Sequence, residues 1–148
     1  MKESTFLNRY KENNRIEAKK ATGGFPHSVW ETYSAFANTN GGVILLGVEE
    51  KKDKTLRAVC LPDPQRLIAQ FWLFLESGKY VNINLLKPKD VFVMEIDGKE
   101  IVVIKVPKAK RLEKPVYIGG NPYLGSYYRD GDGDFLFSEE EVKKMLQR

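Results

Sequence analysis

Residues 26–50 most constrain the fold of this chain, because a helix-like pattern there stops on Asn40-Gly41-Gly42 and passes at once into the apolar run ILLGVEE. Val29, Trp30, Tyr33, Phe36 and Ala37 recur at helical spacing, which predicts a helix over residues 26–40 with one face set aside for burial. Pro26 suits the first helical turn, and the Asn-Gly-Gly exit provides the left-handed conformation that glycine and asparagine adopt at low cost. Strands are expected to begin near Arg15 and Val43. The result is a strand–helix–strand unit.

The remaining pattern extends this unit into a mixed sheet. Leu67, Ile68, Phe71, Trp72, Phe74 and Leu75 mark a second amphipathic helix over residues 63–75, behind Pro62-Asp63-Pro64. Strand-like runs cover residues 80–86, 90–96 and 101–106, and Asp97-Gly98 predicts a tight hairpin between the last two. Further strands are expected over 115–118 and 124–129. Ser138 then caps a short closing helix whose order, Glu before Lys, suits the helix dipole. The fold class is α/β in the α+β mixed sense: a mixed β-sheet flanked by about three helices. The 148 residues are the size of one domain, able to bury roughly 70% of the unfolded surface.

Composition narrows the function. No apolar run approaches the roughly 20 residues of a membrane-spanning helix, and the start MKESTFLNRYKENN lacks the apolar centre of a secretory signal. No membrane partner and a cytoplasmic location are therefore expected. One cysteine, Cys60, permits neither an internal disulfide nor a cysteine-rich zinc site, and is expected to be a small buried residue. The single histidine, His27, cannot build a Ser-His-Asp triad or a His-rich metal site and is expected to be exposed. The net charge of +4 permits an anionic partner. Its distribution is uneven: Lys105, Lys108, Lys110, Arg111 and Lys114 face one acid, Glu113, in KVPKAKRLEK. Such a segment is either a solvated connector or a phosphate-contacting loop.

Several constellations could carry chemistry. Glu12 and Glu17 stand five residues apart, Lys19 follows, and Glu50 ends the glycine-led strand. Carboxylates of this kind can hold Mg²⁺ or Mn²⁺ while a lysine stabilises a developing anion, although ordinary surface acids would look the same. Asp130, Asp132, Asp134 and Glu141 mimic calcium-loop spacing, but Phe135 stands where that loop needs glycine, which favours a turn with solvated aspartates. Tyr117, Tyr123, Tyr127 and Tyr128 around Arg129 suit either strand packing or base stacking. In SAFANTNGG, small residues let the helix approach the sheet, while Asn38 and Thr39 can order the turn or bind a phosphate. No GxxxxGK[ST] or convincing GxGxxG is present, so nothing local supports nucleotide hydrolysis.

Glu12, the IEAK run at residues 16–19, SAFANTNGG and ILLGVEE together resemble the AlbA_2 domain of Schlafen proteins and of many bacterial proteins described as transcriptional regulators or ATP-binding proteins. The resemblance continues through KPVYIGGNPYLGSYYRDGDGD to the closing helix. It implies an AlbA_2/Schlafen-core-like fold over residues 1–148, the N-terminal part of a longer protein, and binding of DNA or RNA. Lys105, Lys108, Lys110, Arg111, Lys114 and Arg129 become the candidate phosphate contacts. Schlafen endoribonucleases use two glutamates at the same five-residue spacing and an aspartate after the glycine-rich strand. This implies an alternative, a Mg- or Mn-dependent nuclease with Glu12, Glu17 and Glu50 as metal ligands and Lys19 beside them as catalytic support; Glu in place of Asp departs from that pattern. A protein-interaction or homodimerisation module is a third expectation.

Overall fold

The computed structural model of the protein describes residue 11 and residues 14–147. Its central sheet has the order β1-β2-β6-β5, built from β1 (Ile16–Lys19), β2 (Gly42–Leu46), β5 (Val91–Ile96) and β6 (Lys99–Val106). β1 runs parallel to β2, and the other two pairings are antiparallel. Helix α1 (Val29–Asn38) makes the crossover between β1 and β2, and α2 (Pro64–Ser77) packs on the same face. The opposite face is covered by the hairpin of β3 (Val48–Glu50) and β4 (Leu56–Ala58). A one-turn helix α3 (Pro122–Gly125), the ladder of β7 (Tyr127–Asp130) with β8 (Gly133–Leu136), and α4 (Glu139–Leu146) complete the chain.

Strand alternation explains why β2 is buried throughout. Ile44 and Leu46 enter the core shared with Trp30, Tyr33, Phe36 and Phe71, while Val43 and Leu45 join Val48, Ala58, Ile101 and Val103 on the other face. Glu17 and Lys19 register with Ile44 and Leu46, so on β1 the helix-facing positions are charged. These two polar residues at the sheet edge begin the site described below.

The mixed fold and the β5–β6 hairpin through Asp97 and Gly98 agree with the sequence pattern. Several local expectations need correction. Residues 26–28 form a turn in place of the first helical turn, so α1 starts at Val29. Residues 80–86 and 115–118 lie side by side with a single bridge, Val81 to Ile118, and form no ladder. In the first of these, Tyr33 donates from Oη to the Ile83 carbonyl at 2.9 Å and accepts from Leu85 N at 3.0 Å, supplying the bonds that a neighbouring strand would have made. The expected strand over 124–129 begins as α3 and becomes extended at Tyr127. The run ILLGVEE divides at Gly47, whose φ is +92° and whose Cβ position would lie 2.7 Å from Leu61 Cγ, and this break releases β3 into its own hairpin. Cys60 is exposed, contrary to expectation; Ala58 and Leu61 on either side carry the packing instead. Among the described residues, no helix is long and apolar enough to cross a membrane.

Candidate nucleic-acid interface

The second half of SAFANTNGG fixes one border of the candidate interface. Asn38 donates from Nδ2 to the carbonyls of Val116 at 2.8 Å and Tyr127 at 2.9 Å, and its Oδ1 accepts from Val116 N at 2.9 Å. Ser34 donates to the Val116 carbonyl at 2.7 Å and accepts from Tyr127 N at 3.0 Å. Thr39 Oγ1 accepts from Arg129 N at 2.9 Å. Buried polar groups on α1 therefore clamp two segments that lie about eighty to ninety residues away in sequence. Asn38 and Thr39 order backbone, the first of the two roles open from the sequence.

Arg129 is the centre of this clamp. Its side chain is only 6% exposed, with the guanidinium carbon 4.8 Å from the centre of the Phe36 ring. Nη1 donates to Glu17 Oε1 at 2.9 Å and Asp134 Oδ1 at 2.8 Å, Nη2 to the Ile16 carbonyl at 3.0 Å, and Nε to the Asn14 carbonyl at 3.3 Å. Asp134 also accepts from Thr32 Oγ1 at 2.8 Å, and Lys19 Nζ lies 3.7 Å from Glu17 Oε2. Two carboxylates and two cations thus meet in a compact, internally compensated group. The guanidinium offered by sequence as a phosphate contact is turned into the protein, while the acids offered as metal ligands or solvated turn residues hold it there.

The structure brings Glu17 and Lys19 together but gives Glu50 a different setting. Glu50 ends β3 as an exposed residue, and it is Glu49 that pairs with Arg57 at 2.8 Å and Lys20 at 3.5 Å. These cations hold the Glu49 carboxyl below its ordinary range, chiefly through the Arg57 hydrogen bond. Glu12 lies outside the described residues. Among the described residues, no group of three or more His, Cys, Asp or Glu side chains is placed to hold a metal ion. Asp130 and Asp132 sit at the β7–β8 turn, and Glu141 closes the Ser138 capping box, so the calcium-like spacing is divided between two ordinary structural tasks.

The basic loop is held differently. Ala109 N donates to the Ala37 carbonyl at 2.8 Å, and at Gly41 a Cβ would lie 2.8 Å from the Val106 carbonyl oxygen, so the base of the loop is pressed against the end of α1. A turn at Arg111–Glu113 follows, in which Glu113 Oε1 accepts from Lys110 N at 2.7 Å. The one acid of the segment is thereby committed to backbone. Lys108, Lys110 and Arg111 are exposed and Lys114 is half-buried, and none of the four makes an ion pair with another described residue. Burial, and then the charge of Lys108, hold the Lys114 amine below its usual range. Lys105 lies further back, half-buried in β6.

The aromatic residues divide in the same way. Tyr128 packs on Phe135 and Phe137, and Tyr127 is half-buried, its phenol pushed up by burial and by Glu31 and Asp134. Tyr123 remains exposed. Sequence reasoning missed a second aromatic group, in which exposed His27 stacks on Tyr80 at 5.3 Å and Tyr80 stacks on Trp30 at 5.7 Å. Trp30 is readable as a helix-face residue, but the rings stacked on it come from distant chain, Phe71 of α2 and Tyr80.

The chain was compared with known families and structures. The family described as Schlafen, AlbA_2 matches residues 12–138. The N-terminal domain of a RecG-related protein from Nitrosomonas europaea, named for ATP-dependent DNA helicases, is 31% identical with a TM-score of 0.60; the match covers 91% of this chain and 92% of that one. The DIP2311 protein of Corynebacterium diphtheriae shares the fold at 18% identity and a TM-score of 0.57, over 93% of this chain but 24% of that one. No curated protein matches.

Proposed function

Because the chain belongs to the Schlafen AlbA_2 family, we propose that it is a nucleic-acid-binding module whose basic loop, residues 108–114, contacts the phosphate backbone. The observation that carries this reading is the loop itself: four cations against one acid, none of them in an ion pair with a described residue, raised on a base that the end of α1 holds in place. Burial first, and then the charge of Lys108, disfavour the charged form of Lys114, and a bound anion would offset the second of these. The helicase-related naming of the Nitrosomonas europaea relative supports a nucleic-acid setting. Lys105 takes a supporting place behind the loop, and Arg129 acts from within by fixing β7 against β1. A cytoplasmic location and service as one module of a longer regulator belong to the same reading. Backbone contact alone reads no sequence, so DNA and RNA both remain partners.

A salt titration tests the reading. Labelled single-stranded and duplex oligonucleotides are titrated with the protein at increasing ionic strength. Affinity is expected to fall along a log–log line whose slope reflects released counterions, and Lys110→Glu with Arg111→Glu is expected to flatten that slope by about two contacts. Binding that ignores both salt and the double charge reversal overturns the loop assignment.

The nuclease alternative depends on Glu12, Glu17 and Glu50 gathering around Mg²⁺ or Mn²⁺. Glu17 is already engaged by Arg129 and Lys19, and Glu50 stands exposed at the end of β3. The arrangement therefore favours binding over cleavage. Metal-dependent fragments of labelled tRNA that disappear in Glu17→Gln would reverse this preference.

A further inference from the structure

Beside the N-terminal end of α1 lies a recess of about 390 Å³ lined by His27, Trp30, Glu31, Lys79, Tyr80, Ile118 and Gly119. Its aromatic components are already arranged: His27 and Trp30 stack on Tyr80 with interplanar angles of 23° each. Trp30 is 3% exposed, and its indole N–H is a buried donor without an acceptor among the described residues. Buried indole donors normally find a partner. Glu31 and Lys79 stand exposed at the rim, and neither side chain makes an ion pair with a described residue. Trp30 also stacks on Phe71 at 5.3 Å with an interplanar angle of 12°, so the outer ring of the column is the exposed His27, which shares the recess with an acid and a base.

We propose that this recess receives a single unstacked nucleobase from a strand held by the basic loop. The proposal rests on the nucleic-acid reading of that loop and adds what the loop cannot supply, a place for a base. A nucleobase presents a face to stack and an edge bearing both acceptors and donors, which matches the lining better than an aliphatic ligand would. Position supports the pairing of the two features. The chain leaves the loop at Lys114 and reaches the recess at Ile118, bridged to Val81, while Asn82 binds Tyr117 through both N and Oδ1. Four extended residues span at most about 14 Å, so loop and recess lie on one continuous strip within reach of a short single strand. Lys79, at the far rim, extends the positive charge along that strip. Duplex DNA would have to release a base to use the site, so the recess favours single-stranded or locally opened substrates.

Trp30 provides the readout. The protein has two tryptophans, and Trp72→Phe leaves Trp30 as the remaining indole. Titrating that variant with adenosine monophosphate is expected to quench its fluorescence saturably, whereas ribose 5-phosphate, which lacks the base, leaves it unchanged. His27→Ala, at an exposed position, and Tyr80→Leu should each weaken the quench about tenfold, with circular dichroism confirming that the fold survives. Lys110→Glu with Arg111→Glu should weaken oligonucleotide binding about tenfold or more at low salt and leave the mononucleotide quench intact, which separates failure of the loop from failure of the recess. Absence of a saturable quench up to millimolar nucleotide, an equal quench by ribose 5-phosphate, or a quench indifferent to His27→Ala overturns the proposal even if oligonucleotides bind through the loop.

Discussion

Arg129 and the lysines of the basic loop carry the same charge and lie close in sequence, but their surroundings are opposite. Around Arg129 every side-chain nitrogen has a partner: Glu17, Asp134 and two backbone carbonyls take the guanidinium, and Thr39 takes its backbone N–H. Around residues 108–114 the only acid has been spent on a turn, and Lys108, Lys110 and Arg111 face solvent. A cation inside a satisfied network holds the fold together, because removing it strands buried acceptors. A cation without such a network adds little to stability and remains available to an outside anion. The contrast assigns structure to one region and recognition to the other, and substitutions can attack each side.

The largest effect is expected at Asn38, the buried clamp of the structural region. Asn38→Leu preserves approximate volume but leaves the Val116 N–H and the Tyr127 carbonyl without the Asn38 amide, while the Val116 carbonyl keeps only Ser34. A loss of about 3 kcal/mol follows from stranding these groups, which lowers the thermal midpoint by about 6–12 °C for a domain of this size. Calorimetry checks it; a midpoint within a degree of wild type would mean that the clamp contributes nothing. Next comes Arg129→Met, which leaves Glu17 and Asp134 facing each other. Buried pairs broken on one side cost more than surface ones, but Glu17 and Asp134 keep 26% and 15% of their side-chain surface exposed, so solvent screening reduces the expected loss to about 2 kcal/mol. Urea denaturation measures this. If Arg129→Met instead keeps full stability and loses nucleic-acid binding, the two regions have been assigned the wrong way round.

Tyr33 sharpens the structural side through pH. Its phenol is raised from the ordinary value of 10.0, first by burial, and the Leu85 N–H that it accepts only partly offsets that. The folded state therefore keeps a proton that the unfolded state releases above about pH 10, and stability falls as pH rises beyond that point, by up to about 1.4 kcal/mol per unit. Below that pH the contribution is fully present. Tyr33→Phe costs about 1–2 kcal/mol at neutral pH by orphaning the Ile83 carbonyl and Leu85 N–H, but lacks the alkaline loss, so the two stability curves should converge as pH rises through 10. Curves that stay parallel would show that burial of this phenol does not govern the alkaline limb.

The sequence made much of this fold legible and little of the clamp. α1, α2 and the β5–β6 hairpin are written in local periodicity and in Asp97-Gly98, signals that need no knowledge of distant chain. The charge of the basic loop was readable for the same reason. Asn38, Ser34 and Arg129 act on residues up to 115 positions away, and no local pattern announces which carbonyl an asparagine will meet. Residues 80–86 looked like a strand because they form a β-rich run, but Tyr33 and Asn84 side chains satisfy part of their backbone and no ladder forms. The three-carboxylate idea joined residues by type; the structure shows that one of them, Glu17, had a cation waiting for it more than one hundred residues later.

The smallest stability effect is expected on the recognition side, and it is the one that decides the comparison. Lys110→Glu with Arg111→Glu removes no ion pair among the described residues, because the Glu113 carboxylate is tied to the Lys110 backbone and that bond survives the substitution. New like charges beside Glu113 are exposed, and exposed pairs of this kind shift stability by about 0.5 kcal/mol or less. The thermal midpoint should therefore stay within about 2 °C of wild type while nucleic-acid affinity falls by tenfold or more at low salt. A large drop in midpoint would mean that the loop is part of the structural network after all, and any loss of binding would then report unfolding. An unchanged midpoint with lost binding would show that these cations serve the ligand, since a side chain that contributes to neither fold nor binding could not separate the two measurements.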